Sequence, residues 1–149
     1  MRKLLRNRVV TLLAASALFT GGSVTLGATN AAAADWTFKK SAVSSDGGFT
    51  IAAYISGTYA GVVVWNADPS GSIPGDAFQV VDVYADGWGM EASMIHPTTG
   101  RVATTRGHSA VYYSPWNSGN LAEGTDVYLQ LCAVQGTSAD CSLAYGGHA

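Results

Sequence analysis

From residue 35 onward, apolar positions either alternate with polar ones or fall in short β-branched and aromatic blocks. No window repeats them at i, i+3, i+4 and i+7. The blocks are punctuated by Gly, Asp, Pro and Ser, which predicts strands at 36–40, 49–56, 60–66, 78–85, 88–96, 101–107, 126–135 and 138–145. Eight short strands cannot bury both faces of one sheet, so the expected fold is all-β: a small antiparallel β-sandwich with Greek-key connections. The stretch from Asn66 to Asp76 is long enough to carry the chain between sheets.

Three turn signals set registers. Asp86-Gly87 has type I′ chemistry and pairs 83 with 90 and 81 with 92. Pro97-Thr98-Thr99-Gly100 suits a four-residue loop and pairs 96 with 101, 94 with 103 and 91 with 106. Together they predict a three-strand meander. Val81, Val83, Met90, Ala92, Met94 and Ala103 would share its apolar face, and Asp82, Glu91 and Arg106 would form a polar row on the other. Gly136-Thr137 closes a third hairpin, in which Cys132 faces Cys141 at a non-hydrogen-bonded site. Cα atoms there approach to about 4.5 Å, the short end of disulfide reach. A structural bridge is expected; a redox pair or metal thiolates are the weaker readings, since CxxC spacing is absent.

Charge and targeting change the picture. Residues 1–34 hold Arg2, Lys3, Arg6 and Arg8, no acid, an apolar run from Val9 to Phe19, and Ala32-Ala33-Ala34 before Asp35. This reads as a secretory leader cut after Ala34, leaving a single domain over 35–149 that is secreted to the extracellular space. The apolar run is too short to span a bilayer, so no membrane association is expected once the leader is removed. All ten acids but only Lys39, Lys40, Arg101 and Arg106 of the basic residues lie in that domain, giving a net charge of −6 with His neutral. Nucleic acid is thereby disfavoured, because phosphate-backbone binding runs on clustered Lys and Arg.

Candidate chemistry is sparse. The Asp82, Glu91, Arg106 row offers two carboxylates for acid/base work; its plain reading is a solvated ion-pair row. His108 adjoins Ser109, but neighbours on an extended chain point opposite ways, and no GxSxG elbow is present. His108 opens a segment to Thr125 without strand signal, of a length that is often functional. That segment carries Tyr112, Tyr113 and Trp116, with Trp88 just past the Asp86-Gly87 turn; these rings either cap the core or present flat faces to a ligand. Asp68, Ser70, Ser72 and Asp76 loosely follow a calcium loop but lack its glycine and its closing acid, so no metal is assigned. His96, His108 and His148 show no ligand spacing, and His148 is expected in a fraying tail. No cofactor is expected.

The function expected from these residues is a secreted noncatalytic binding domain. Trp88, His108, Tyr112, Tyr113 and Trp116 would contact an extracellular glycan or protein. One alternative is a small extracellular hydrolase using Asp82 or Glu91 with His108, and another a structural or inhibitory secreted protein.

Between residues 64 and 124 the chain contains VWNADPSGSIPGDAF, YADGWGMEA, TTGRVATTRGHSAVYYSPW and GNLAEG. It resembles small exported proteins of streptomycetes and related actinobacteria that carry ADGxGxEA, TRGH and SPW segments and a closing cysteine pair. The resemblance covers the middle and end of the domain. It implies export and a shared fold, and brings over no catalytic residue.

Overall fold

The computed structural model describes residues 34–149; the predicted leader lies outside them except for Ala34. Eleven strands run in order among these residues: β1 (Trp36–Lys40), β2 (Phe49–Ile55), β3 (Thr58–Asn66), β4 (Ala77–Asp82), β5 (Gly89–His96), β6 (Val102–Thr104), β7 (Tyr112–Tyr113), β8 (Asn117–Ser118), β9 (Asp126–Gln135), β10 (Ser138–Cys141) and β11 (Tyr145–His148). They form two antiparallel sheets. The first has the order β1-β2-β3-β4-β7, with β8 also on β4; the second has β10-β9-β5-β6, with β11 also on β9. The sandwich closes over Trp36, Phe49, Ile51, Val63, Trp65, Phe78 and Val80 from one sheet and Met90, Met94, Val127, Leu129 and Leu131 from the other. No helix among the described residues is long and apolar enough to cross a membrane.

Seven of the eight predicted strands hold their places, some with shortened ends, and the eighth divides. The added ribbon lies in the 108–125 segment, which is not a presented loop. It is the edge strand of the first sheet, β7 and β8, broken around Pro115. Proline cannot donate to a ladder, and an edge tolerates it. Across the break Ser114 continues the pairing: its amide donates to the Val80 carbonyl at 2.9 Å, its Oγ accepts the Val80 amide at 3.1 Å, and Gln79 Nε2 donates to its carbonyl at 2.7 Å. The second sheet repeats the device where the predicted strand 138–145 divides into β10 and β11. Ser142 donates to Leu131 at 2.8 Å and accepts from it through Oγ at 3.0 Å, and Gln130 donates to the Ser142 carbonyl at 2.8 Å. Thr105 does the same beyond β6, its Oγ1 accepting the Met90 amide at 2.7 Å.

The meander predicted around Asp86-Gly87 does not form, because β4 and β5 belong to different sheets. Both edges of β4 are taken, by β3 and by β7 with β8, and both edges of β5 by β9 and β6. The turn chemistry is nevertheless local and real: Gly87 has φ 83°, and the Trp88 amide donates to Asp86 Oδ1 at 2.8 Å. The turn redirects the chain from one sheet to the other.

Without that hairpin, the predicted face of β4 is inverted. Phe78 and Val80 point into the core, and Asp82, next in their row, is 2% exposed; Val81 is buried outside the core cluster. A one-residue change of register moves every side chain to the opposite face. Asp82 therefore leaves the predicted polar row. The β5–β6 hairpin forms with a slip of two residues: Ala92 pairs Ala103, and the Met94 amide donates to the Arg101 carbonyl at 3.0 Å. On its other edge β5 has a register irregularity between Met94 and His96 against β9. An even slip preserves the face, so Met90, Ala92, Met94 and Ala103 are core as expected.

Cys132 pairs Cys141 as predicted, bridged at a Cα separation of 4.0 Å. Since β10 is exposed along its whole length, the bridge acts on the hairpin more than on the core. His148 is not in a frayed tail; it pairs Asp126, and its carbonyl accepts the Trp65 indole N–H at 3.0 Å. Nearby, the Arg101 guanidinium closes the lower end of the sandwich. It donates to the Asp76 carbonyl at 2.7 Å, to the Asn117 carbonyl at 2.6 Å and to Asn117 Oδ1 at 3.0 Å, and lies over the Phe78 ring. Burial lowers its pKa and the Asp76 carboxylate partly restores it.

Two outcomes follow from this packing. Replacing both cysteines by serine should lower unfolding free energy by about 2–3 kcal/mol, the loop-closure contribution of roughly ten residues, measured by urea denaturation. Arg101→Ala removes three hydrogen bonds and the packing over Phe78 at once and should cost about 2–4 kcal/mol, read as a lower urea midpoint at unchanged m-value.

Candidate functional site

At the upper end of the sandwich three connections meet: the β4–β5 crossover, the chain from Thr105 to Ala110, and the β9–β10 turn. They enclose a cleft of about 390 Å³ lined by Asp82, Tyr84, Trp88, Thr105, Arg106, His108, Ser109 and Gln135, among others. Each wall has a local cause. The Gln135 side chain donates to the Gly87 carbonyl at 3.1 Å, tying the hairpin turn to the crossover. Arg106 Nε donates to Glu91 Oε2 at 2.8 Å, and its Nη1 to the Gly136 carbonyl at 2.9 Å, which fixes the opposite rim. The His108 ring stacks on Tyr112 at 3.7 Å with 2° between planes. Trp88 is half-buried and meets Trp36 edge-on at 5.6 Å.

Asp82 is the buried acid of this cleft. It ends β4 with its side chain on the inward face, opposite Gly61. A Cβ at Gly61 would lie 2.5 Å from Met90 Cγ, so the sheets meet closely beside it. Asp82 Oδ1 accepts the Tyr84 amide at 3.2 Å. Burial raises its pKa, the Tyr84 hydrogen bond opposes the rise, and the Asp86 carboxylate adds to it. Asp86 Oδ2 is itself buried without a hydrogen-bond donor among the described residues, and the Trp36 indole N–H is buried without an acceptor.

The residues singled out from the sequence are divided among several places. Trp88 and His108 line the cleft, as do Asp82 and Arg106. Tyr112 joins through its stack on His108. Tyr113 pairs Val81 and is 60% exposed on the outer face of the first sheet. There it belongs with Tyr59, whose pKa is raised by burial and then by Tyr54 and Tyr113. Trp116 is half-buried at the break between β7 and β8. Glu91 lies on the outward-facing side of β5, opposite Cys132 and Thr104, so it does not share a site with Asp82. Its ion pair with Arg106 forms because the long side chain reaches back from beyond β6. Among the described residues no hydrogen bond joins His108 to Asp82, Glu91 or Ser109.

Sequence reasoning missed Thr105, Tyr84 and Gln135 in the cleft, and Arg101 at the opposite end. One signal pointed to Asp82: it stands inside the run Phe78-Gln79-Val80-Val81-Asp82-Val83, where a charge is surrounded by strand-forming apolar residues. The fold and site define an antiparallel β-sandwich with a cleft at one end. No protein-family model, curated protein or solved structure matches the chain.

The raised pKa of Asp82 has a sign. Between the ordinary carboxylate value and the raised folded one, the folded state holds a proton the unfolded state has lost, so stability falls as pH rises through that window. Asp82→Asn keeps the Oδ1 acceptor and removes the charge. It should melt at a higher temperature than the parent at pH 7, and the difference should vanish as pH is lowered past the ordinary carboxylate value, followed by circular dichroism.

Proposed function

We propose that this is a secreted noncatalytic binding domain whose ligand sits in the upper cleft. One observation carries the reading. Among the described residues the buried polar side chains are Asp82, Thr105, Ser114 and Ser142. The three hydroxyls each stand in for a backbone group in a strand ladder, whereas Asp82 supports no ladder and opens on the cleft. A buried acid whose only hydrogen bond is the Tyr84 amide on one oxygen, in a cavity of ligand size, marks a functional site.

The walls fit recognition. Trp88 and the His108–Tyr112 stack supply flat faces, Asp82 an acceptor and Arg106 a donor, a combination suited to a sugar or to the tip of a protein loop. Catalysis is less well supported, since the acid, His108 and Ser109 form no hydrogen-bonded relay and Glu91 lies elsewhere. Export is supported by the basic, apolar leader and by the disulfide, which persists in oxidising compartments. The resemblance to exported actinobacterial proteins agrees with it.

Intrinsic tryptophan fluorescence during titration with soluble chitin oligosaccharides and short peptides tests the reading. His108→Ala should weaken binding about tenfold without lowering the melting temperature, the loss expected for one stacked ring wall. Tyr113→Ala, on the outer face, should leave affinity unchanged. If the two substitutions weaken binding equally, or if only Tyr113→Ala does, the cleft is not the seat.

A further inference from the structure

Resting on the cleft as the ligand seat, we propose that its ligand carries a protonated amine, held by the Asp82 carboxylate with Trp88 beside it. Asp82 is 2% exposed, and the only hydrogen bond to it among the described residues comes from the Tyr84 amide to Oδ1. A carboxylate with so little access to water is costly unless a cation or further donors reach it from the cleft. The charged and titratable groups around it do not fill that role. Arg106 lines the same cleft but directs Nε to Glu91 and Nη1 to the Gly136 carbonyl. His108 is exposed and stacked on Tyr112. Asp86 is a second acid, with Oδ2 buried and lacking a donor. Burial and Asp86 both push the Asp82 pKa up, as expected of a carboxylate with no cation beside it.

The missing partner is therefore a donor-rich cation, and the geometry selects its kind. A divalent metal needs several oxygen or nitrogen ligands, and no three His, Cys, Asp or Glu side chains gather among the described residues. An ammonium needs one carboxylate, a few neutral acceptors and, favourably, an aromatic face. Asp82, Trp88 and the neutral side-chain oxygens of Ser109 and Gln135 line one cavity that offers these. The described residues also carry ten acids against four bases, a field that draws cations toward the surface.

Calorimetric titration with paired probes tests the proposal. Glucosamine tetramer is compared with its fully N-acetylated form, and Nα-acetyl-lysine methylamide with its Nε-acetylated form, so that each pair differs in the charged amine. At least one amine should bind about tenfold more tightly than its neutral counterpart, and Asp82→Asn should abolish that advantage, so that the two members of the pair bind alike. The favoured pair separates an amino sugar from a basic side chain as the natural source. Equal binding of charged and neutral probes, still weakened by His108→Ala, would retain the cleft and overturn the amine seat. Failure of both amines to bind overturns the seat as well, as does an amine preference that survives in Asp82→Asn. Loss of His108 dependence would instead sink the cleft.

Discussion

Every strand has two hydrogen-bonding edges, and in this domain the use of those edges decides the rest. β4 is paired on both sides within the first sheet and β5 on both sides within the second. The connection between them must therefore leave one sheet and enter the other. That crossing, over residues 83–88, creates an end where loops from both sheets face one another and where packed side chains give way to a cavity. It also fixes the parity of β4, so the last residue of that strand points inward. The cleft and its acid are consequences of ladder accounting.

The same accounting explains the buried hydroxyls. An edge strand that bends loses ladder partners, and an unpaired backbone amide in the interior is costly. Ser114 and Ser142 solve this in nearly the same way on the two sheets. In each case a serine Oγ accepts the amide of an apolar residue, and the glutamine preceding that residue secures the serine carbonyl. Thr105 uses its hydroxyl similarly against Met90. These groups are fully occupied by structure. The contrast isolates Asp82, a charged group on the inward face whose burial strengthens no ladder.

The two ends of the sandwich are built differently. At the lower end Arg101 binds the carbonyls of Asp76 and Asn117, Asp76 Oδ2 accepts the Leu121 amide at 2.7 Å, and Trp65 reaches the His148 carbonyl. Polar groups there find their partners inside the protein. At the upper end a carboxylate oxygen and an indole N–H remain without partners among the described residues. Recognition chemistry belongs where hydrogen-bonding capacity is left over.

By itself the sequence determined the all-β class, the position of the strands outside the 108–125 segment and the pairing of Cys132 with Cys141, because alternation, turn residues and a two-residue hairpin are local. It also placed Met90, Ala92, Met94 and Ala103 in the core, since an even slip between neighbouring strands leaves faces unchanged. Which strand borders which was not local. Asp86-Gly87 specifies a reversal whether the next strand returns to the same sheet or enters the other, and only competition for the edges of β4 and β5 settled that. The outcome turned Asp82 from an outer polar row into a buried acid and parted it from Glu91. Side-chain direction alternates with every residue, so the tertiary choice of partner strand, absent from any short window of sequence, decided which carboxylate lies inside.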